Sequence, residues 1–263
     1  MTSRSSLFLL SFAFMACTST GEKSTDAHDF YAHQNLWPAS CQRADIADQR
    51  QSPIALDEKL FKGASVGAIT FNYQPADAEI VDDGHTVQYR FTGDAGSLTF
   101  EGKTYPLKQF HFHKESEHTL NGKGHDMEVH FVHIRQENGK PQAIALGFFI
   151  DQGAPVDDWF KAMHDLPNVV ETNKVHEGVT VLAKIKGLNA RKLIPAKESY
   201  YVYEGSLTTP GCEEFVTHIV GKDPISFSDE MEKSYASYHN KSNRNLQPIG
   251  SAKIRKFRMA VEK

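Results

Sequence analysis

Two short stretches with a strict two-residue alternation decide most of what this chain can become. Residues 108–113 read K-Q-F-H-F-H and residues 126–133 read D-M-E-V-H-F-V-H. In an extended strand, residues two apart share a face. Gln109, His111 and His113 then line one side of the first stretch, with Phe110 and Phe112 on the other. In the second, Glu128, His130 and Val132 share a face, and Val129, Phe131 and His133 take the opposite one. A similar alternation recurs at residues 68–73, 86–91, 97–100 and 143–150, between turn pairs such as Asp83-Gly84, Gly93-Asp94, Asn121-Gly122 and Asn138-Gly139. Helical patterns are few. One covers residues 156–164 after Pro155; another covers 228–238, with Ser228 as N-cap and Met231, Tyr235 and Tyr238 on one face. The expected class is mainly β (α+β): a single domain with a large, mostly antiparallel central sheet and short peripheral helices.

Residues 1–17 hold one Arg and then an apolar run, residues 7–16, too short to span a bilayer as a stable helix. That is the layout of a secretory signal peptide. Ala16-Cys17, followed by the polar TSTGEKSTD, resembles a bacterial lipoprotein processing site, at which Cys17 becomes the lipid-bearing first residue. The alternative is ordinary cleavage nearby, with Cys17 discarded. Residues 18–27 read as a flexible tether, and 28–263 as one uninterrupted domain. The chain is expected to be exported, either periplasmic or lipid-anchored at a bacterial envelope, with membrane contact only through a lipid on Cys17. In an exported protein the two remaining cysteines, Cys41 and Cys212, are most simply a disulfide; the alternative is two buried free thiols. Lys plus Arg is 29 against Asp plus Glu at 33, a net charge of -4. No basic excess exists to neutralise a phosphate backbone, which argues against a nucleic-acid partner.

Six of the 13 histidines (His111, His113, His118, His125, His130, His133) fall within 23 residues. The segment SEHTLNGKGH between the two alternating stretches permits a chain reversal. If the stretches are neighbouring strands, His111, His113 and His130 converge on one point. Three neutral imidazoles with an open fourth position make a catalytic zinc site. The spacing is not the helical HExxH pattern, which disfavours a zincin-type protease. Each ligand needs its other ring nitrogen hydrogen-bonded to fix tautomer and orientation. Gln109 and Glu128, two residues before His111 and His130 on the same faces, are the natural partners. His118, His125 and His133 read as structural or surface residues.

At these residues the sequence resembles an α-class carbonic anhydrase of the bacterial secreted or periplasmic type, over nearly the whole of the expected domain. The resemblance is carried by Gln51-Ser52-Pro53-Ile54, Gly84-His85, residues 109–113, Glu117-His118-Thr119, residues 128–133, residues 205–210, and Asn243-Arg244 with Gln247-Pro248. It implies a zinc lyase catalysing reversible hydration of carbon dioxide to bicarbonate and a proton, by attack of zinc-bound hydroxide. His111, His113 and His130 match the Zn2+ ligands. Thr208 matches the threonine that accepts a hydrogen bond from that hydroxide, and Glu117 the buried carboxylate that accepts the threonine's own proton. Thr209 matches a bicarbonate contact and His85 the proton shuttle. Val132, Leu207 and Val216 match the apolar wall beside which carbon dioxide sits. A Cys41–Cys212 bridge is similar to that of bacterial members. Inhibitory anions and sulfonamides are expected ligands, and homodimers are common among the bacterial relatives.

The sequence departs from the family pattern in four places. The N-terminal aromatic cluster keeps Phe30, Tyr31 and Trp37 but lacks a Gly-Pro before the Trp. Gly211 stands where a second Pro is usual, Asn245 where Pro follows the Arg, and His218 where the pocket wall usually has Trp. Apart from these four, Ala145 stands on the same wall where Val is common. The last two changes predict a pocket wider and more polar on that side, with His218 neutral. The alternative is that His218 turns its polar edge away into a hydrogen bond and leaves the pocket's shape ordinary.

Overall fold

In the computed structural model, residues 31–42, 49–61, 69–153, 174–176, 179–195, 199–249 and 258–261 are described. The expected signal peptide, Cys17, the tether, Phe30 and the helix at 156–164 lie outside the described residues. In chain order the strands are β1 (Ala55–Leu56), β2 (Ile69–Tyr73), β3 (Ala76–Asp82), β4 (Val87–Phe91), β5 (Gly96–Phe100), β6 (Lys103–Lys114), β7 (Thr119–Leu120), β8 (Met127–Glu137), β9 (Lys140–Gln152), β10 (Lys174–His176), β11 (Val179–Leu188), β12 (Ser199–Gly205), β13 (Val216–Gly221), β14 (Ile225–Phe227) and β15 (Arg258–Val261). The helix at 228–238 is observed as α1 (Asp229–Tyr238); the Ser228 side chain accepts from the Met231 N–H, and Met231 and Tyr235 are buried.

One large sheet runs in the order β10-β11-β3-β4-β6-β8-β9-β13-β12-β15, with β2 and β5 continuing from β6, and β14 beside β9. Most pairs are antiparallel, as expected, but β13 and β14 lie parallel to β9, so the sheet is mixed. The reason is connectivity. β8 and β9 are joined by the two-residue turn Asn138-Gly139, at φ 52° and 74°, which forces an antiparallel hairpin. β13 arrives only after a long excursion through β10, β11 and β12, so its direction is free.

The alternation in β6 and β8 becomes a division of labour between faces. Phe110, Phe112, Val129 and Phe131 join Ile144, Leu146, Phe148 and Ile150 of β9 in the main core. Tyr89 of β4 stacks on Phe110 with centroids 4.5 Å apart. Each fully buried side chain of this kind contributes about 1.5–3 kcal/mol, which pins the register. A slip of one residue would send the histidines into the core and the phenylalanines out. The β6–β8 register sets His111 directly opposite His130, and α1 covers the core side of β6, where the Tyr235 hydroxyl donates to the Phe112 carbonyl at 2.5 Å.

Candidate metal centre

The pairing of β6 and β8 brings His111, His113 and His130 together, with one ring nitrogen of each within 4.8 Å of the others. The outer nitrogens are all engaged. His111 Nδ1 donates to Gln109 Oε1 at 2.9 Å, His113 Nδ1 to the Ser242 carbonyl at 2.5 Å, and His130 Nε2 to Glu128 Oε1 at 2.7 Å. Neutral rings with those nitrogens protonated must turn bare lone pairs inward, from His111 Nε2, His113 Nε2 and His130 Nδ1. His111 Nε2 and His113 Nε2 stand 3.0 Å apart. Neither carries a proton to share, so two lone pairs face each other, an arrangement that suits a cation between them. The donor set is that of a three-histidine zinc site.

Charge and burial act on the three rings differently. Burial, helped by the His113 and His130 rings, holds His111 well below the ordinary imidazole value, and burial lowers His113 as well. For His130, burial is outweighed by the Glu128 carboxylate, and the pKa rises. Glu128 itself is fully buried. Burial alone would raise it, but His118 and His130 together hold it well below the usual carboxylate range. It also accepts from the His118 backbone N–H at 2.9 Å and from His118 Nδ1 at 2.7 Å. His118 Nε2 lies 2.7 Å from the Tyr203 hydroxyl, which donates to Ser52 Oγ. A buried polar chain therefore runs from His130 through Glu128, His118 and Tyr203 to Ser52.

The other site candidates approach from three directions. Glu117 is buried; its Oε1 accepts from the Arg244 backbone N–H at 2.8 Å, while its Oε2 lies 3.5 Å from His113 Nε2 and has no hydrogen-bond partner. Thr208, buried, and Thr209 lie on the loop between β12 and β13, and no hydrogen bond joins Thr208 to Glu117 in this structure. That loop is held by the Cys41–Cys212 disulfide and by Gln51 Nε2, which donates to the Cys212 carbonyl at 3.0 Å. Val216 packs with Ala143, Ala145 and Leu207. Val132, half-buried, sits opposite Ala145 in the β8–β9 register. His85 stands apart, half-buried at the turn into β4, with its N–H held by Asp83 Oδ1 at 3.0 Å.

Two departures from the family pattern have visible causes. Gly211 adopts φ +109°, which the ring of proline forbids. The Asn245 N–H donates to Gln34 Oε1 at 2.8 Å, a bond proline lacks the hydrogen to make. Gln34 also donates to the carbonyls of Tyr31 and Asn243, and Tyr31 packs edge-on against Trp37. At His218 the hydrogen bond of the second expectation is observed. The ring is 2% exposed, its Nε2 bonds the Ser206 carbonyl at 2.9 Å, and its Nδ1 is left without a partner. His118, His125 and His133 all have structural roles. His125 stacks on Phe149 and bonds Asp151, and His133 is buried against Tyr73.

Several residues of the centre were not found from sequence. Ser242 contributes only its carbonyl, so no side-chain signal exists for it. Tyr203 sits in S-Y-Y-V-Y-E-G, where nothing separates it from its neighbouring tyrosines as the one facing His118.

The family described as eukaryotic-type carbonic anhydrase matches residues 32–260. A carbonic anhydrase of Klebsiella pneumoniae is 33% identical over 202 residues, 76% of each chain. Among solved structures, an α-carbonic anhydrase from Thermovibrio ammonificans in complex with sulfanilamide superposes with a TM-score of 0.65 at 33% identity, covering 82% of this chain and 88% of that one. A carbonic anhydrase from Chlamydomonas reinhardtii in complex with acetazolamide gives 0.69 at 25% identity, covering 94% of this chain and 100% of that one.

Proposed function

This chain belongs to the eukaryotic-type, α-class carbonic anhydrases, and from that premise we propose that His111, His113 and His130 hold a zinc ion at which carbon dioxide is hydrated. The enzyme catalyses the reversible conversion of carbon dioxide and water to bicarbonate and a proton. The observation that carries the zinc assignment is that three imidazoles turn unprotonated nitrogens to one point while Gln109, the Ser242 carbonyl and Glu128 hold their outer N–H groups. Zinc, when bound, supplies a Lewis acid that brings the pKa of a coordinated water to about 7, as is known of carbonic anhydrase itself.

The protein's own groups do the rest. With the nucleophile bound, Thr208 would accept its hydrogen bond and give its own proton to Glu117 Oε2, the oxygen that has no partner in this structure. That relay accepts only a proton-bearing group beside the histidines, and it turns a lone pair toward the substrate. Val132, Leu207 and Val216 form the apolar surface against which carbon dioxide rests. Thr209 contacts bicarbonate through its hydroxyl, and the Thr208 backbone N–H meets competing anions. His85 carries the proton outward. Burial pulls its pKa below the ordinary imidazole value, opposed by Asp83, which leaves it ready to give the proton up to buffer. Sulfonamides should bind, a reading supported by the inhibitor complexes of the two relatives.

Residues 1–17 as a signal peptide, 18–27 as a tether and 28–263 as the catalytic domain place the enzyme in the periplasm, or on the envelope through a lipid at Cys17. The disulfide is compatible with export, and no helix among the described residues is long and apolar enough to cross a membrane. A homodimer is the oligomer proposed from the bacterial relatives. The deciding experiment is stopped-flow carbon dioxide hydration by the mature protein, with metal content read by emission spectroscopy. Stoichiometric zinc and chelator-sensitive turnover are expected. A protein that purifies without zinc, or that keeps full turnover after chelation, refutes the assignment.

A further inference from the structure

His85 does not lie on a strand. β3 ends at Asp82, which pairs with Val87 of β4, and residues 83–86 turn between them with Gly84 at φ +81°. The link from this turn to the metal side is Gln88, which pairs with His111. Three residues separate His85 from Gln88, no more than about 10 Å along the chain. A proton passes only between groups within hydrogen-bond reach or joined by water, so the position of the His85 ring governs the transfer.

Two carboxylates fix the turn. Asp83 Oδ1 accepts from the His85 and Thr86 N–H groups, at 3.0 and 2.9 Å, and Asp83 Oδ2 accepts from Gln88 Nε2 at 2.6 Å. These bonds lie within the β3–β4 hairpin and would travel with it. Asp82 reaches outside the hairpin. Its Oδ1 accepts from the Gly84 N–H at 2.8 Å and from His239 Nε2 at 3.1 Å. A carboxylate only accepts, so Nε2 carries the proton. The His85 ring in turn bonds the backbone of Gly84. A chain of contacts therefore runs from His239 through Asp82 and Gly84 to His85.

His239 is the fixed end of that chain. It caps the C-terminus of α1, where its N–H donates to the Tyr235 carbonyl at 3.0 Å, and its ring tilts against Tyr235 with centroids 6.2 Å apart. It is 2% exposed. Three residues on, the Ser242 carbonyl accepts from His113 Nδ1 and the Ser242 hydroxyl accepts from the Lys114 N–H. The short segment 239–242 thus grips the His85 turn at one end and a metal-binding histidine at the other. Asp82 alone offers no such anchor. Its side chain is 25% exposed, and without His239 it can turn to water.

We propose that His239, acting through Asp82, is a positioning residue for proton transfer. It ties the Asp83-Gly84-His85 turn to the segment that holds His113, and so sets the distance over which the proton moves. This inference rests on the reading of His85 as the proton shuttle. His239 itself neither meets the substrate nor carries the proton.

Steady-state carbon dioxide hydration by the zinc holoenzyme tests it. Here kcat/KM covers substrate capture and the chemistry, whereas kcat in weak buffer also covers proton export. His239→Phe keeps a ring against Tyr235 and removes the donor. Its kcat in weak buffer should fall roughly three- to tenfold, the worth of about one hydrogen bond, with kcat/KM within about twofold of native. Imidazole buffer should recover the loss. His239→Gln, which keeps an N–H donor, should be faster than the Phe variant. Equal falls in kcat and kcat/KM, a loss that imidazole leaves untouched, or a Gln variant no faster than the Phe one overturns the proposal. The double variant His85→Ala/His239→Phe should be no slower than His85→Ala, because a positioning residue acts only through the group it positions; losses that multiply overturn the proposal. Asp82→Ala should reproduce the loss, and stands in if His239→Phe cannot be purified; native kcat in it overturns the proposal. In the native protein, nitrogen-15 NMR should find a proton on His239 Nε2 and hydrogen exchange should find the Gly84 amide protected; the absence of either overturns the proposal without any variant. If His85→Ala itself loses nothing in weak buffer, the shuttle reading fails and takes this inference with it. A slow, imidazole-rescued His85→Ala beside an unaltered His239→Phe overturns this inference alone.

Discussion

Replacing Glu128 by Gln changes one atom and should disturb the metal centre more than its size suggests. The carboxylate accepts three hydrogen bonds: two at Oε1, from His118 Nδ1 and His130 Nε2, both 2.7 Å, and one at Oε2, from the His118 N–H at 2.9 Å. A glutamine has one acceptor oxygen. Its best placement puts that oxygen at the Oε1 position and the amide NH2 against the His118 N–H. The backbone donor is then buried without an acceptor, at a cost of about 1–3 kcal/mol. The two remaining bonds drop from charge-assisted to neutral, about 1 kcal/mol each. Relief from burying a charge offsets part of this, leaving a net loss of roughly 2–4 kcal/mol. The His130 ring, less firmly held and less basic, should bind zinc roughly 10–100-fold more weakly. Chelator competition measures that affinity, and urea denaturation measures the stability. The pH dependence supplies a further check. A carboxylate held below its ordinary value contributes stability that is whole above its unfolded pKa of about 4.3 and is lost as pH falls toward the folded value. The variant should therefore lose stability less steeply below about pH 4.3 than the native protein. Unchanged zinc affinity together with an unchanged acid limb would refute the role given to Glu128.

Reducing the Cys41–Cys212 bridge, which spans 171 residues, removes up to about 5 kcal/mol by the chain-entropy relation. A melting temperature lower by roughly 10–20 °C is the upper figure, and calorimetry with and without dithiothreitol reads it. His85→Ala should lower turnover in weak buffer and recover part of it when imidazole buffer is added; an equal loss in every buffer would remove His85 from proton transfer. Burial pushes the pKa of His133 down to about 4, and its Nε2 takes a 2.5 Å hydrogen bond from Tyr73. A buried neutral imidazole contributes stability that is whole above its unfolded pKa of about 6.5 and is lost as pH falls from there toward about 4, about 3 kcal/mol in all. In His133→Phe the slope of stability against pH in that window should be shallower by up to one proton.

The metal centre was legible where its signal was local. His111, His113, Gln109, His130 and Glu128 follow from a period of two within two stretches, and burial of the phenylalanines on the other face fixes which side they take. The acceptor for His113 was not, because Ser242 lies 129 residues away and serves through a carbonyl that any residue would carry. Strand direction was also hidden. Alternation in β13 places Val216 and His218 on one face but is the same whether the strand runs parallel or antiparallel to β9. β3 carries a weaker local signal, because Asp77 and Glu79 on its outer face are charged and the partner of Glu79, Lys184, comes from the distant β11. The proline departures could be named from sequence but not explained, since the explanations are a backbone angle at Gly211 and a bond from Asn245 to Gln34.

The uneven reach of these contacts has a kinetic side. β6, β8 and β9 follow one another through short connections, so the three ligands can meet early, at a small loss of chain entropy. The loop with Thr208, His218 of β13 and the Ser242 carbonyl come from strands and turns formed much later in the chain and must travel back across the sheet. Early in folding, then, the three imidazoles would stand as an open tripod, able to catch a metal ion but not to hold it tightly while His113 lacks its Ser242 anchor. Zinc taken up at that stage would bias every later step toward the native register, since any slip of β6 against β8 breaks a metal bond as well as a hydrogen bond. The cofactor would then act first as a folding template, before there is any pocket in which it could act on a substrate.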